Sequence, residues 1–177
     1  MMTRPFLPPP DDTLRAAYQD LIAEIDQRIQ GLVRQRFSGL LHCRPGCSEC
    51  CVAFAVLPLE AALLQAFLRA EGRPAPPSPQ EHCCLLLANG HCSVYERRPV
   101  LCRTQGLALA YIDTDQTIEV SACPKNFPEG CSFEQDGLFF MDGFNNRLAI
   151  LNLQYCRQTG LQPDCRIALA DILASVG

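Results

Sequence analysis

Cysteine is the residue type in this chain whose spacing points most directly to chemistry. Four of the twelve cysteines lie within nine residues, in the run Cys43, Cys47, Cys50 and Cys51. A second set follows at Cys83, Cys84, Cys92, Cys102, Cys123 and Cys131. Neighbouring thiolates are soft ligands, which zinc, Cu(I) and iron–sulfur clusters select. The pattern therefore predicts a chain that folds around metal.

The composition limits the other classes of protein. A chain of 177 residues is enough for one domain, and a hydrophobic content of 48% allows a modest core. The net charge is −4, and the 15 lysines and arginines form no long basic run. Because a nucleic-acid footprint needs a clustered basic face, we expect no nucleic-acid partner.

The N-terminal sequence bears on the compartment. Residues 1–10 are a Pro-rich tail without the apolar core of a secretory peptide. No apolar run approaches the ~18 residues that span a bilayer, so we expect no membrane partner. We therefore predict a cytoplasmic protein. Cytosolic thiols are kept reduced, which favours metal or redox chemistry over disulfide bonds.

Hydrophobic periodicity predicts helices on both sides of the cysteines. A long helix over about 12–37 is capped by Asp11 or Asp12, and a second covers about 58–71 with Pro58 in its first turn and Gly72 at its end. The Pro-rich residues 73–81 are predicted to be an exposed connection.

The C-terminal part also has helical periodicity. A helix over about 134–158 places Phe140 on its apolar face and stops at Gly160. A last helix is predicted to begin at Asp164.

Two β-hairpins are predicted between the helical parts. Asn89-Gly90 is a strong turn signal between 84–87 and 91–95, and a second hairpin pairs 107–112 with 117–121. The predicted fold is mainly α with two small β-hairpins, as a small single domain (residues 11–177) organised around a cysteine-ligated metal site. The metal-binding core covers about 43–131.

Eight cysteines form the candidate ligand set: Cys43, Cys47, Cys50, Cys51, Cys84, Cys92, Cys102 and Cys123. Structural zinc takes four ligands, usually from two short knuckles. An iron–sulfur cluster also takes four thiolates, often three from one loop and a fourth from far along the chain. The spacing favours iron–sulfur slightly, and zinc stays open. Eight thiolates match two four-ligand sites or one polynuclear site, and adjacent Cys50 and Cys51 favour ligation of different metals.

The remaining candidates carry weaker signals. Each histidine directly precedes a cysteine, and we interpret His42, His82 and His91 as supporting or solvated residues rather than ligands. We expect Arg98 and Arg103 to donate hydrogen bonds to the thiolates.

The cysteines outside the candidate set are interpreted differently. Cys156 and Cys165 lie in predicted helices, and we expect both to be small buried hydrophobic residues. Cys83 and Cys131 stay undecided, although a strand pleat would point Cys83 and Cys84 to opposite faces.

The cysteine spacing, together with Tyr95-Glu96-Arg97-Arg98-Pro99 and Cys102-Arg103, resembles the YkgJ-like cysteine-cluster family. The resemblance covers roughly residues 43–123. It implies a zinc- or iron-chelating domain, and it implies little about a reaction. Some members of that family are labelled iron–sulfur oxidoreductases or resemble flagellin lysine methylases.

Two other functions fit the spacing of the cysteine run, but the sequence does not predict the fold that each of them requires. The spacing Cys43-x3-Cys47-x2-Cys50 also occurs in radical S-adenosylmethionine enzymes, but no repeated strand–helix pattern follows it. A thiol–disulfide oxidoreductase would need Cys47-x2-Cys50 at a helix N-terminus beside a parallel sheet.

The leading functional interpretation is a cytosolic metal-cluster protein in electron transfer or in support of a modifying enzyme, with a protein partner left open. The alternative is a metal-dependent enzyme, either protein methylase-like or an oxidoreductase.

Overall fold

The computed structural model describes residues 7–44, 46–71, 84–88 and 91–176. Within these ranges the helices hold far more residues than the strands, as predicted for a mainly α chain. The helices are α1 (Asp12–Arg36), α2 (Pro58–Ala70), α3 (Val100–Thr104), α4 (Asp142–Thr159) and α5 (Leu169–Ala174). The strands are β1 (Ala55–Val56), β2 (Leu87–Ala88), β3 (His91–Cys92), β4 (Ala108–Ile112), β5 (Ile118–Ala122), β6 (Phe139–Phe140) and β7 (Ile167–Ala168).

The residues that were predicted to start and end helices do so in the structure. The Asp11 carboxylate accepts a hydrogen bond from the Leu14 amide at 2.8 Å and caps α1. Pro58 occupies the first turn of α2, and Gly160 ends α4 with a φ of +75°. Along the described part of the chain, no helix combines the length and the apolar character needed to cross a bilayer.

Two hydrophobic cores lie beneath these helices. The first core joins α2, α5, the end of α4 and the β2–β3 segment, and it includes Cys84 and Cys156. The second core joins α1, β4, β6 and the start of α3. Tyr18 and Leu151 pack against both cores, so the two form one continuous body.

The strands form three small sheets. β2 pairs antiparallel with β3, and β4 pairs antiparallel with β5, which confirms both predicted hairpins. β6 adds to β4 in parallel and gives the order β5-β4-β6. β1 pairs antiparallel with β7 and ties the segment after the cysteine run to the C-terminal part.

Two helix boundaries were predicted wrongly. The helix predicted over 134–158 begins only at Asp142, because Phe139 and Phe140 form β6 and pair with β4. The last helix begins at Leu169 rather than at Asp164, since Ile167 and Ala168 first pair with β1. In both places the first residues of an apolar run with helical spacing form a strand instead, because they pair with a strand that is distant in the sequence.

Several predicted features lie outside the described residues. They are Gly72, the connection 73–81, His82, Cys83 and the Asn89-Gly90 turn. Of the predicted Pro-rich tail, residues 7–10 are described, and they contact the body. The Leu7 amide donates to Gln65 Oε1 at 3.1 Å, and the Tyr155 hydroxyl donates to the Pro8 carbonyl at 2.8 Å.

Asn152 on α4 links three segments and generates a stability prediction. Its buried Oδ1 accepts from the Leu59 amide at 3.1 Å in the first turn of α2, and its Nδ2 donates to the Pro163 carbonyl at 2.9 Å. We expect Asn152→Ala to lower the free energy of unfolding by about 1–3 kcal/mol, because it leaves a buried amide unpaired. Urea denaturation measures this loss. Asn145→Ala, at an exposed position of α4, is the control. Equal effects of the two substitutions would contradict this role for Asn152.

Candidate metal centre

Four separate segments carry the eight candidate cysteines. The loop between α1 and β1 holds four of them, and its turns are closed by hydrogen bonds from the Cys47 amide to the Arg44 carbonyl and from the Cys51 amide to the Ser48 carbonyl. Cys84 precedes β2, and Cys92 ends β3. Cys102 lies within α3, and Cys123 directly follows β5.

A cavity of about 280 Å³ brings most of these residues together. Its wall is partly apolar, with Phe54, Leu86 and Val94. Cys123 does not line it. The seven candidate cysteines that do line it are Cys43, Cys47, Cys50, Cys51, Cys84, Cys92 and Cys102.

We call four of these cysteines the inner group, and all but Cys102 lie in or against the first core. They are Cys51, Cys84, Cys92 and Cys102. Cys84 belongs to that core, and Cys51 and Cys92 pack against it. The Cys84 amide donates to the Cys51 carbonyl at 3.0 Å, and Cys92 pairs with Leu87 across the hairpin.

Burial and neighbouring thiols raise the pKa of two members of the inner group, Cys51 and Cys102. Burial raises the pKa of the Cys51 thiol to about 11, and the thiols of Cys50, Cys84 and Cys92 contribute further. Burial, followed by the charges of Cys84 and Cys92, also raises the pKa of the Cys102 thiol, while Arg98 opposes the rise. Like charges in one site disfavour ionisation, and a bound cation reverses that preference.

The other four, which we call the outer group, lie on loops nearer the surface: Cys43, Cys47, Cys50 and Cys123. Burial raises the pKa of the Cys50 thiol, and the charges of the other three members add to it. An ion pair between Lys125 and Glu49, at 2.7 Å, joins the segment after Cys123 to the cysteine loop.

Asn126 holds the same two loops together. Its Nδ2 donates to Cys43 Sγ at 3.2 Å and to the Gly106 carbonyl at 2.7 Å, and its Oδ1 accepts from the His42 amide at 2.7 Å. Asn126 was not among the residues predicted from the sequence. Its only sequence signal is its position three residues after Cys123.

Gly106 is a second site residue that the sequence analysis missed. It is buried just after α3 with a φ of +97°, and a Cβ built on it would lie 2.5 Å from Cys43 Sγ. Only glycine allows both this backbone conformation and this close approach of a sulfur. A glycine four residues after Cys102 was the available signal.

The donor set fits a soft metal. Eight thiols with few competing hard ligands are the chemistry that zinc and iron–sulfur clusters require. No three Cys, His, Asp or Glu side chains among the described residues already stand at coordination geometry. Because Zn–S bonds are ~2.3 Å long, the thiols must rotate toward a common point when an ion binds.

The histidines and arginines take different positions. His91 lines the cavity, and His42 is exposed. Arg98 also lines the cavity and lies over the Tyr95 ring at 3.7 Å. The expectation that Arg103 donates to the thiolates was wrong. Its guanidinium pairs with Asp26 on α1 at 2.7 Å and donates to backbone carbonyls.

The remaining cysteines that the structure describes do not line the cavity. Cys131 is exposed. Cys156 is buried in the first core, as predicted. The prediction that Cys165 is buried in a helix was wrong, because it is exposed in the segment between α4 and β7.

Comparison with known proteins gives one match. Residues 42–125 match a family model described as "CxxCxxCC: Putative zinc- or iron-chelating domain". The matched range includes all eight candidate cysteines and confirms the resemblance drawn from the sequence. In this chain the first spacing of the named motif is longer, with three residues between Cys43 and Cys47. No curated protein and no solved structure matches the chain significantly.

The contact between Gly106 and Cys43 can be tested by substitution. We expect Gly106→Ala to displace the Cys43 sulfur and to weaken metal binding about 10–100-fold, the range typical of residues that orient ligands. Gly130→Ala is the matched control, because Gly130 also has a positive φ, of +81°, but its Cβ would meet nothing within 4 Å. Competition with a chromophoric chelator measures both. Equal affinities of the two variants would rule out this role for Gly106.

Proposed function

We propose that this protein, whose residues 42–125 form a zinc- or iron-chelating domain of the cysteine-cluster family, is a cytoplasmic metal-cluster protein that serves in electron transfer or supports a modifying enzyme. The observation that carries the proposal is the convergence of seven cysteines from three distant segments on one cavity. The proposed ligands are Cys43, Cys47, Cys50, Cys51, Cys84, Cys92, Cys102 and Cys123.

The proximity of the thiols to one another supports metal binding over a role as inert buried cysteines. A cysteine that only fills a core has no need of other thiols near it. Here burial and mutual repulsion raise the pKa values of Cys50, Cys51 and Cys102, so the groups oppose their own ionisation. A cation supplies the missing charge, and coordination deprotonates the thiols.

The arrangement of the outer group favours an iron–sulfur cluster there. Three of its members come from one loop, and the fourth, Cys123, comes from more than seventy residues further on. That division is common among ligands of four-iron clusters. Cys43 and Cys50 are exposed, and a redox centre near the surface suits electron exchange with a partner protein. A bound cluster would supply one-electron redox chemistry, whereas zinc would supply none.

A second cavity favours the alternative of a metal-dependent enzyme. It measures about 460 Å³, lies between α1, α2 and residues 96–103, and shares Arg98 and Pro99 with the cysteine cavity. Buried Glu60 contributes to its wall and accepts a hydrogen bond from the Tyr18 hydroxyl at 3.1 Å. A cavity beside a metal site offers room for a substrate of an oxidoreductase or methylase-like enzyme.

The metal can be identified from the purified protein. If the site holds an iron–sulfur cluster, anaerobically prepared protein should be brown, with absorption near ~400 nm that bleaches on reduction. A zinc protein should be colourless. We expect Cys47→Ser to lose metal, because a hydroxyl replaces a thiolate poorly. Cys131→Ser should retain it, since Cys131 is exposed and does not line the cavity. Elemental analysis that finds neither iron nor zinc in the wild-type protein would overturn the proposal.

The proposal also predicts which parts of the fold depend on metal. Removing the metal should expose backbone amides in 40–52 and 123–131, because the described residues of these loops include no buried member of either core, and only Leu41 and Cys51 pack against one. Helices α1, α2 and α4 should stay protected, since their apolar faces pack within the cores. Bound metal contributes ~10–16 kcal/mol in structural zinc sites, which is comparable to the stability of a domain. Hydrogen exchange before and after chelation measures the change. Unchanged exchange in both loops of verified metal-free protein would contradict the prediction.

A further inference from the structure

We infer that the eight cysteines form two separate metal sites, an inner site of Cys51, Cys84, Cys92 and Cys102 and an outer site of Cys43, Cys47, Cys50 and Cys123. This inference rests on the proposed function and specifies its stoichiometry. It excludes a single polynuclear site in which all eight thiolates share bridging ions. The division falls at the peptide bond between Cys50 and Cys51.

Cys50 and Cys51 are adjacent in the chain, but their surroundings differ. Cys51 is tied by its carbonyl to the Cys84 amide and packs against the first core. Cys50 is exposed and packs against neither core. Because Cys50 and Cys51 are adjacent in the chain, the two sites are neighbours.

The inner site is built on packed elements. The Glu60 carboxylate accepts from the Val100 amide at 2.9 Å and anchors the first turn of α3, which carries Cys102. The ion pair of Arg103 with Asp26 fixes the same short helix to α1. Cys84 is buried in the first core, and the hairpin fixes Cys92 beside it.

The outer site is built on surface loops that polar contacts hold together. These contacts are the Asn126 hydrogen bonds to Cys43 and the His42 amide, and the partly exposed Lys125–Glu49 ion pair. No outer cysteine belongs to or packs against either core among the described residues. Solvent and chelators therefore reach an outer ion more readily than an inner one.

The difference in access predicts two kinetic classes of metal. Zinc is the probe, loaded anaerobically into the full chain after removal of any native metal. We expect two equivalents of bound Zn²⁺, with one transferring to a chromophoric chelator in a fast phase and one in a slow phase. Cys43→Ser should lose the fast equivalent and keep the slow one. Cys92→Ser should lose the slow equivalent and keep the fast one, and Cys131→Ser should keep both.

Several outcomes would overturn the inference. They are a total of one equivalent, a stoichiometry above two, or the loss of both equivalents together in Cys43→Ser and Cys92→Ser. Each of these leaves metal binding intact, so the proposed function would stand. A wild-type protein that binds no zinc under these conditions and no iron as purified would overturn both.

A measurement on the wild-type protein keeps the test independent of how the variants fold. We expect ¹¹³Cd²⁺-loaded protein to show two resonances of equal intensity, each from an all-thiolate environment. Adding a limiting amount of chelator should reduce one resonance before the other. A single resonance, or parallel loss of both, would mean that the eight thiolates form one site.

Discussion

One buried carboxylate fixes the position of the short helix that carries Cys102. Glu60, at the start of α2, accepts hydrogen bonds from the Tyr18 hydroxyl of α1 and from the Val100 amide at the start of α3. Burial raises the pKa of Glu60, and these hydrogen bonds oppose the rise. A five-residue helix such as α3 has too few backbone hydrogen bonds to persist alone. Cys102 therefore holds its place because Glu60 and Arg103 attach α3 to the two longer helices.

The same arrangement explains why the two groups of thiols differ. Three inner cysteines, Cys51, Cys84 and Cys92, lie in or against the first core, whose apolar contacts come from α2, α5 and the β2–β3 segment. Among the described residues, the outer group is held by the Asn126 hydrogen bonds and one partly exposed ion pair, a type of contact that contributes little to stability. Coordination energy in the outer group therefore replaces packing energy that the loops do not supply.

Sequence patterns predicted the parts of this structure that local chemistry determines. The Asp11 cap and Pro58 mark helix starts, because capping depends on neighbouring residues alone. Phe139 and Phe140 were assigned to a helix, since nothing local reveals that they pair with β4 thirty residues earlier. Arg103 was assigned to the thiolates because it follows Cys102, but α1 supplies its carboxylate from Asp26, 77 residues away in the chain.

The candidate site shows the same division. Of the eight residues that cysteine spacing selected, seven line the cavity and Cys123 does not. The spacing is informative because soft ligands in such density have few other uses. It did not select Asn126 or Gly106, whose roles arise only when loops 20 and 83 residues apart approach one another. Polar residues and glycines acquire such roles when distant segments of the chain approach one another in the fold. The order of residues along the sequence does not reveal that approach.

Arg98 links the cysteine cavity to the neighbouring cavity. It lines both the cysteine cavity and the neighbouring cavity between α1 and α2, and its Nε donates to the Tyr95 carbonyl at 3.0 Å. Its charge also lowers the pKa of the Cys102 thiol, against the larger effect of burial. Electrostatic interactions are reciprocal, so ionisation of the Cys102 thiol would favour the Arg98 guanidinium in this position. This shared residue gives the electron-transfer and enzyme hypotheses a common structural element.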